Sequence, residues 1–308
     1  MPESIPVAAL DSSAAPAGVM VDVRPQARRG GLAAFFVAFR RQRLGVIGLA
    51  LVSLSIVAAI FAPWASPYDP NKIDPIHVLQ SPSAAHWLGT DSLGRDVFSR
   101  ILYGARVSLY AGLLVVSVSV TIGTIIGLVA GYIGGFVDSL LMRAMDALLA
   151  FPGLVFALAI TAALGPGLTN AMIAIAVLSF PGAARLVRGE TLSLRERDFI
   201  LAERLLGASP WRILFRHILP NALAPIIVIA SLRVGGAILL ETSLSFLGLG
   251  VQPPTASWGS MVNEGSRFLE RAPWIAMTSG GAIFLVVMGA NLIGDAVRDI
   301  LDPRLRNE

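Results

Sequence analysis

Three uncharged runs, at residues 44–64, 107–137 and 147–184, govern what this chain can fold into. The first has 21 residues, enough at about 1.5 Å per residue to cross the roughly 30 Å of a bilayer's hydrocarbon. The third has 38, too long for one crossing and right for two, with Gly165-Pro166-Gly167 as the hairpin between them. Two further spans follow, at 221–241 and 273–294, and the second run supplies one at 108–132. A backbone in hydrocarbon must satisfy its own polar groups, so the expected fold is an all-α polytopic membrane protein with six transmembrane helices. Composition agrees: only 14% of residues are charged, against roughly a quarter in a soluble domain. A cleaved signal peptide is the competing reading of the first run, but it would have a shorter leader and a shorter apolar core.

Arginine placement gives the orientation. The tail 1–43 and the segments 133–143, 185–220 and 295–308 hold seventeen basic residues, whereas the intervening loops 65–106, 164–168 and 251–272 hold six. Basic residues accumulate on the cytoplasmic side, so both termini are expected inside. The domain outline is then a cytoplasmic tail 1–43, a first helix 44–64 and an extracytoplasmic loop 65–106. A membrane core 107–297, which contains a cytoplasmic segment 190–220, and a tail 298–308 complete it. The formal charge of +4 belongs to these loops and not to a nucleic-acid groove, since no basic-plus-aromatic pattern accompanies it.

One cytoplasmic stretch, 198–220, has more pattern than a connector needs. It reads DFILAERLLGASPWRILFRHILP. Ile200, Leu201, Leu205 and Leu206 recur at helical spacing, Gly207 breaks the pattern, and Ser209-Pro210 form an N-cap and first helical position. The expected structure is helix, glycine bend, then a short helix ended by Pro220. A solvated amphipathic connector would show the same pattern.

Several chemistries are excluded. The chain has no cysteine, hence no disulfide, thiol nucleophile or cysteine metal site. Its one lysine, Lys72, precedes Ile73, so there is no P-loop to hold nucleotide phosphates. His77, His86 and His217 lack metal-ligand spacing, and no catalytic motif is present. The chain is expected to be no enzyme and to carry no cofactor.

LAERLLGASPWRILFRHILP resembles the cytoplasmic EAA loop of ABC importer permeases of the type I fold. Its pattern positions fall on Leu201, Ala202, Glu203, Gly207, Leu219 and Pro220, with Leu201 where the family usually has Glu. Further blocks are HWLGTDSLGRDVFSR, YGARVSL, AFPGL, LSFLGLGVQPPTASWG and GDAVRDILDPRLR. Together they resemble the C-type permease subunit of dipeptide and oligopeptide importers, over about residues 35–306. FPGAARLVRGETL with Arg233 is similar to the glutathione-importing branch; nickel or another small solute is a further alternative.

The resemblance implies a five-helix core plus an N-terminal helix, forming half of a translocation pore in a bacterial or archaeal cytoplasmic membrane. It implies a B-type permease partner, two ATP-binding subunits that carry ATP and Mg, an extracytoplasmic solute-binding protein, and surrounding lipid. It also implies that Leu201, Ala202, Glu203, Gly207, Ala208 and Ser209 couple the permease to the ATPases.

Arg233 stands inside a span, twelve residues or about 18 Å beyond Asn221. An intramembrane charge usually faces a cavity or a partner. With Glu241 it is a candidate for the translocation path, where it would attract a substrate carboxylate. The alternatives are a structural pair with Glu241 or Asp146, or snorkelling to an interface. In the loop 65–106, Trp87, Asp91, Arg95 and Asp96 either meet a binding protein or cap and pair locally. Gly123, Gly127 and Gly131 share one helix face and predict close packing. A secondary transporter, a membrane scaffold and a membrane enzyme are the competing classes. The first would need inverted repeats or intramembrane carboxylate pairs, and the second would not need a glycine-hinged loop.

Overall fold

The computed structural model describes residues 32–301, which are mostly helical, with one long irregular connection at 66–96. Residues 1–31 of the tail expected at 1–43, and residues 302–308 of the tail expected at 298–308, lie outside the described residues. An amphipathic helix α1 (Leu32–Arg41) leads into α2 (Arg43–Ala65). After an irregular stretch come α3 (Val97–Ile133), α4 (Gly135–Leu149), α5 (Gly153–Leu164) and α6 (Leu168–Arg195). Next are α7 (Asp198–Leu205), α8 (Pro210–Arg212), a π-helical turn (Ile213–Ile218) and α9 (Leu219–Phe246). The last two are α10 (Trp258–Ser266) and α11 (Pro273–Leu301).

Among the described residues, five continuous helices are long and apolar enough to cross a membrane, and the pair α4 and α5, bent by 90°, is apolar enough to be a sixth, broken span or a re-entrant loop. The sequence led us to expect one span between residue 147 and the hairpin at 165–167, with Pro152 tolerated within it or at its edge. Instead the helix stops at Ala150, because Pro152 donates no N–H and bars Phe151 from the helical region.

Helices α3 and α6 form the central pair. The face predicted from Gly123, Gly127 and Gly131 lies against α6. A Cβ added at those positions would come within 2.6 Å of Ala183 Cβ, 2.5 Å of the Ala184 carbonyl and 2.7 Å of Thr191 Cβ. The backbones therefore touch, and dispersion over that length holds the pair where lipid offers no hydrophobic gain.

The start of α3 lies well before the uncharged run 107–137 that forecast it, and its end lies inside that run. Asp96 caps its start, accepting from the Ser99 N–H at 2.7 Å, so the helix begins ten residues before the expected end of the loop at 106. At the far end Arg195 of α6 donates to the carbonyls of Gly131 and Tyr132, both at 3.2 Å. The region 251–272, read as a loop, contains α10. Ser257 caps it through a capping box with Ser260, and Trp258 is buried, its Nε1 donating to the Ile101 carbonyl at 3.1 Å.

Candidate functional site

The segment 198–220 owes its shape to one residue. Gly207 has φ of +79°, in the left-handed region that L side chains avoid. Its N–H donates to the Arg204 carbonyl and the Ala208 N–H to the Glu203 carbonyl, both at 3.0 Å. This is a Schellman ending for α7, and it satisfies carbonyls that the helix leaves open. Ser209 then caps α8, its Oγ accepting from the Arg212 N–H at 3.4 Å, with Pro210 at the first helical position.

The second helix is not short. It passes through a π-helical turn and Pro220 into α9, where the sequence reading had ended it. Pro220 lies in the first turn of α9, directly after the π turn, whose shifted register (Leu219 N–H to the Leu214 carbonyl) accommodates a residue without an N–H. Segment 210–246 is thus one lever joining the polar stretch to the membrane core.

Beneath the segment, Ile200, Ile213, Leu214 and Ile218 are buried in the main core. Above it, Leu201, Leu205, Leu206, Trp211 and Phe215 are exposed; Leu205 and Leu206 are 89% and 83% exposed. Trp211 and Phe215 stack at 5.9 Å. Of the residues singled out from the sequence, Leu201, Ala202 and Ser209 are exposed and Glu203 and Ala208 are half-buried. Glu203 turns back to His217, with Oε1 3.4 Å from Nε2. It therefore does not stand on the outer face as an acid in place of the one missing at Leu201. Arg204 sits over the Tyr132 ring, 5.5 Å from its centroid. The result is an apolar ridge, fringed by arginine, on an element anchored by its other face.

Arg233 is half-buried in α9, and among the described residues it pairs with neither Glu241 nor Asp146. Asp146 is taken by Arg185, and Asp138 by Arg188, whose Nη2 lies 2.6 Å from Oδ2. Arg233 Nη1 instead donates to the Ser179 carbonyl of α6. Its guanidinium rests on Gly182, where a Cβ would lie 2.4 Å from Nη2. The absence of a side chain at Gly182 is what admits it.

Glu241 is fully buried and accepts from Ser245 Oγ at 2.7 Å and Ser108 Oγ at 3.3 Å. The structure therefore does not bring Arg233 and Glu241 together. It encloses Glu241 between α3 and α9 as a clasp, where the sequence reading had placed it on a path.

At the opposite end of the bundle, Trp87 is exposed while Asp91, Arg95 and Asp96 are buried. Arg95 Nε meets Asp91 at 2.6 Å, and Arg95 Nη2 meets Glu264 of α10 at 3.0 Å. Sequence reasoning had offered local capping and pairing as one alternative for these residues without naming the pair, and it missed Glu264, 169 positions from Arg95. His77 and His86 each meet a carboxylate, Asp74 at 2.7 Å and Asp96 at 2.9 Å. The His77 hydrogen bond holds the Asp74 carboxyl below its usual range.

Comparison with known proteins follows this geometry. Residues 123–307 match the family described as "Binding-protein-dependent transport system inner membrane component". Residues 32–82 match "N-terminal TM domain of oligopeptide transport permease C". The chain is similar to the "Glutathione transport system permease protein GsiD" of Escherichia coli O6:K15:H31 (strain 536 / UPEC). The two are 48% identical over 285 residues, which is 92% of this chain and 94% of that protein. The protein of the same name from Shigella sonnei (strain Ss046) gives the same figures. The "Dipeptide transport system permease protein DppC" of Alkalihalophilus pseudofirmus is 47% identical over 272 residues, 88% of this chain and 90% of that protein.

Proposed function

This chain belongs to the family of binding-protein-dependent transport system inner membrane components, a membrane permease of an ABC transporter, and from that premise we propose that it forms half of the pore of an ATP-driven peptide importer. The observation that carries the reading is the glycine-hinged segment 198–220, with its exposed Leu205, Leu206 and Trp211 and its continuous join to α9. An apolar ridge on a short helix fits a groove in a partner, and the arginines beside it fit an acidic rim.

The partners are a B-type permease, two ATP-binding subunits that hold ATP and Mg, and an extracytoplasmic solute-binding protein. ATP hydrolysis belongs to the ATP-binding subunits, since this chain has no phosphate-binding loop. Both termini and the segment 198–220 lie in the cytoplasm, and the end holding α10 faces outward. ATP-driven closure of the ATPases moves the lever 210–246 as a rigid body and alternates access to the pore. Arg233 attracts a substrate carboxylate in transit, because among the described residues its hydrogen-bond partner is a neutral carbonyl.

The test is to purify the chain with its co-encoded neighbours and measure ATP hydrolysis against dipeptides, oligopeptides, glutathione and nickel. Stimulation by peptides supports the reading. Stimulation by glutathione or nickel alone moves it to another substrate. Uptake that follows a proton gradient without ATP overturns it.

A further inference from the structure

A polar cavity of about 240 Å³ lies at the α10 end of the bundle, between the start of α3, the end of α9, the following turn and α10. Three arginines line it, Arg95, Arg100 and Arg267, with the single carboxylate of Glu264. Their charges are not matched. Arg95 is satisfied by Asp91 at 2.6 Å and Glu264 at 3.0 Å, and the other oxygen of Glu264 accepts the Ser92 N–H at 3.2 Å.

Arg100 has to share what remains. It is 3% exposed. Its Nη1 donates to the Pro70 carbonyl at 3.0 Å and weakly to the Pro254 carbonyl at 3.4 Å. Its Nε lies 3.3 Å from Asp91 Oδ2 but off the line of a hydrogen bond, so that donor is buried without a partner. Arg267, exposed at the rim, reaches only Asn263 Oδ1 at 3.2 Å. Asp91 and Glu264 thus face three guanidinium groups, and one positive charge is left over. That surplus charge is Arg267 at the rim, and beneath it the buried Arg100 Nε still lacks an acceptor; an anion entering the cavity supplies both needs.

We propose that this cavity is a subsite for the carboxylate of a transported peptide, held at the mouth of the pore before passage. A planar carboxylate matches the guanidinium fork, and Thr255 and Gln252 at the wall supply polar neighbours for the peptide group behind it. The size admits a carboxylate with the residue that bears it, so the site reads the end of a peptide and not its sequence. The placement rests on the import reading above, which turns this end outward.

The test uses the complex purified with its co-encoded neighbours in lipid nanodiscs, without the solute-binding protein and without ATP. The probes are trialanine and trialanine amide, observed by saturation-transfer NMR. The wild type is expected to bind the acid about tenfold more tightly than the amide, the worth of one charge-assisted hydrogen bond. Arg267→Gln is expected to erase the difference and Arg267→Lys to keep most of it. Equal or absent binding of acid and amide by the wild type overturns the proposal. So does undiminished discrimination in Arg267→Gln. The import reading fails separately, if no peptide stimulates ATP hydrolysis once the binding protein is restored.

Discussion

Gly207 sets the geometry of the segment 198–220 through its φ of +79° and two 3.0 Å backbone hydrogen bonds. No atom lies within 4 Å of a Cβ added there, so Gly207→Ala meets only backbone strain, about 1–2 kcal/mol. It should lower coupling modestly. Gly207→Pro loses the N–H and fixes φ near −65°, which removes the Schellman ending. Uptake in that variant should fall to background while ATP hydrolysis persists and the protein still reaches the membrane. Uptake and hydrolysis measured side by side in vesicles decide this, and normal uptake contradicts it. Arg233 gives a second residue-level forecast. Gly182→Leu must expel the guanidinium, whose Nη2 lies 2.4 Å from the added Cβ. It should therefore reproduce the uptake defect of Arg233→Gln for free-acid peptides. A defect in Arg233→Gln that is absent from Gly182→Leu would detach the function of Arg233 from its seat on α6.

Among the elements, α3 and α6 set the scaffold, and in the proposed mechanism the α8–π–α9 lever carries the motion. Gly127 meets the Ala184 carbonyl at 2.5 Å from an added Cβ, and backbone cannot yield as a side chain can. Gly127→Leu should part the two helices, costing upward of about 1–3 kcal/mol. The measurement is the melting temperature of the detergent-solubilised complex, and an unchanged value would contradict the packing account. On the coupling segment, Leu205 and Leu206 contribute little to the fold, being almost wholly exposed. Leu205→Asp with Leu206→Asp should leave the permease folded and abolish copurification of the ATP-binding subunits. The glycine face and the caps at Gly207 and Ser209 were legible in the sequence, because periodicity, left-handed turns and N-caps are decided within a few residues. The break at Ala150, the passage through Pro220 and the return of Glu203 to His217 were not. Each depends on whether neighbouring helices and side chains satisfy a freed backbone group or offer a partner.

For the whole molecule, the arrangement of spans predicts a sidedness that can be tested directly, since the chain has no cysteine of its own. Glu196→Cys and Ala84→Cys place single thiols at two exposed positions, one beside α7 and one in the stretch before α3. A membrane-impermeant maleimide applied to intact cells should label the second and spare the first, and the reverse pattern would invert the topology. The sequence alone determined that this chain crosses a membrane several times, which stretches hold the apolar cores of the crossings, and which segment carries the glycine hinge. Those properties follow from hydrophobic length and local backbone preference, and neither needs a distant partner. Only the tertiary structure decided that Arg233 bonds a carbonyl of α6, that Glu241 is closed between α3 and α9, and that Arg95 and Glu264 meet across 169 positions. A buried charge takes whichever partner the packing brings within hydrogen-bond reach, and packing is settled by the fit of all the helices together.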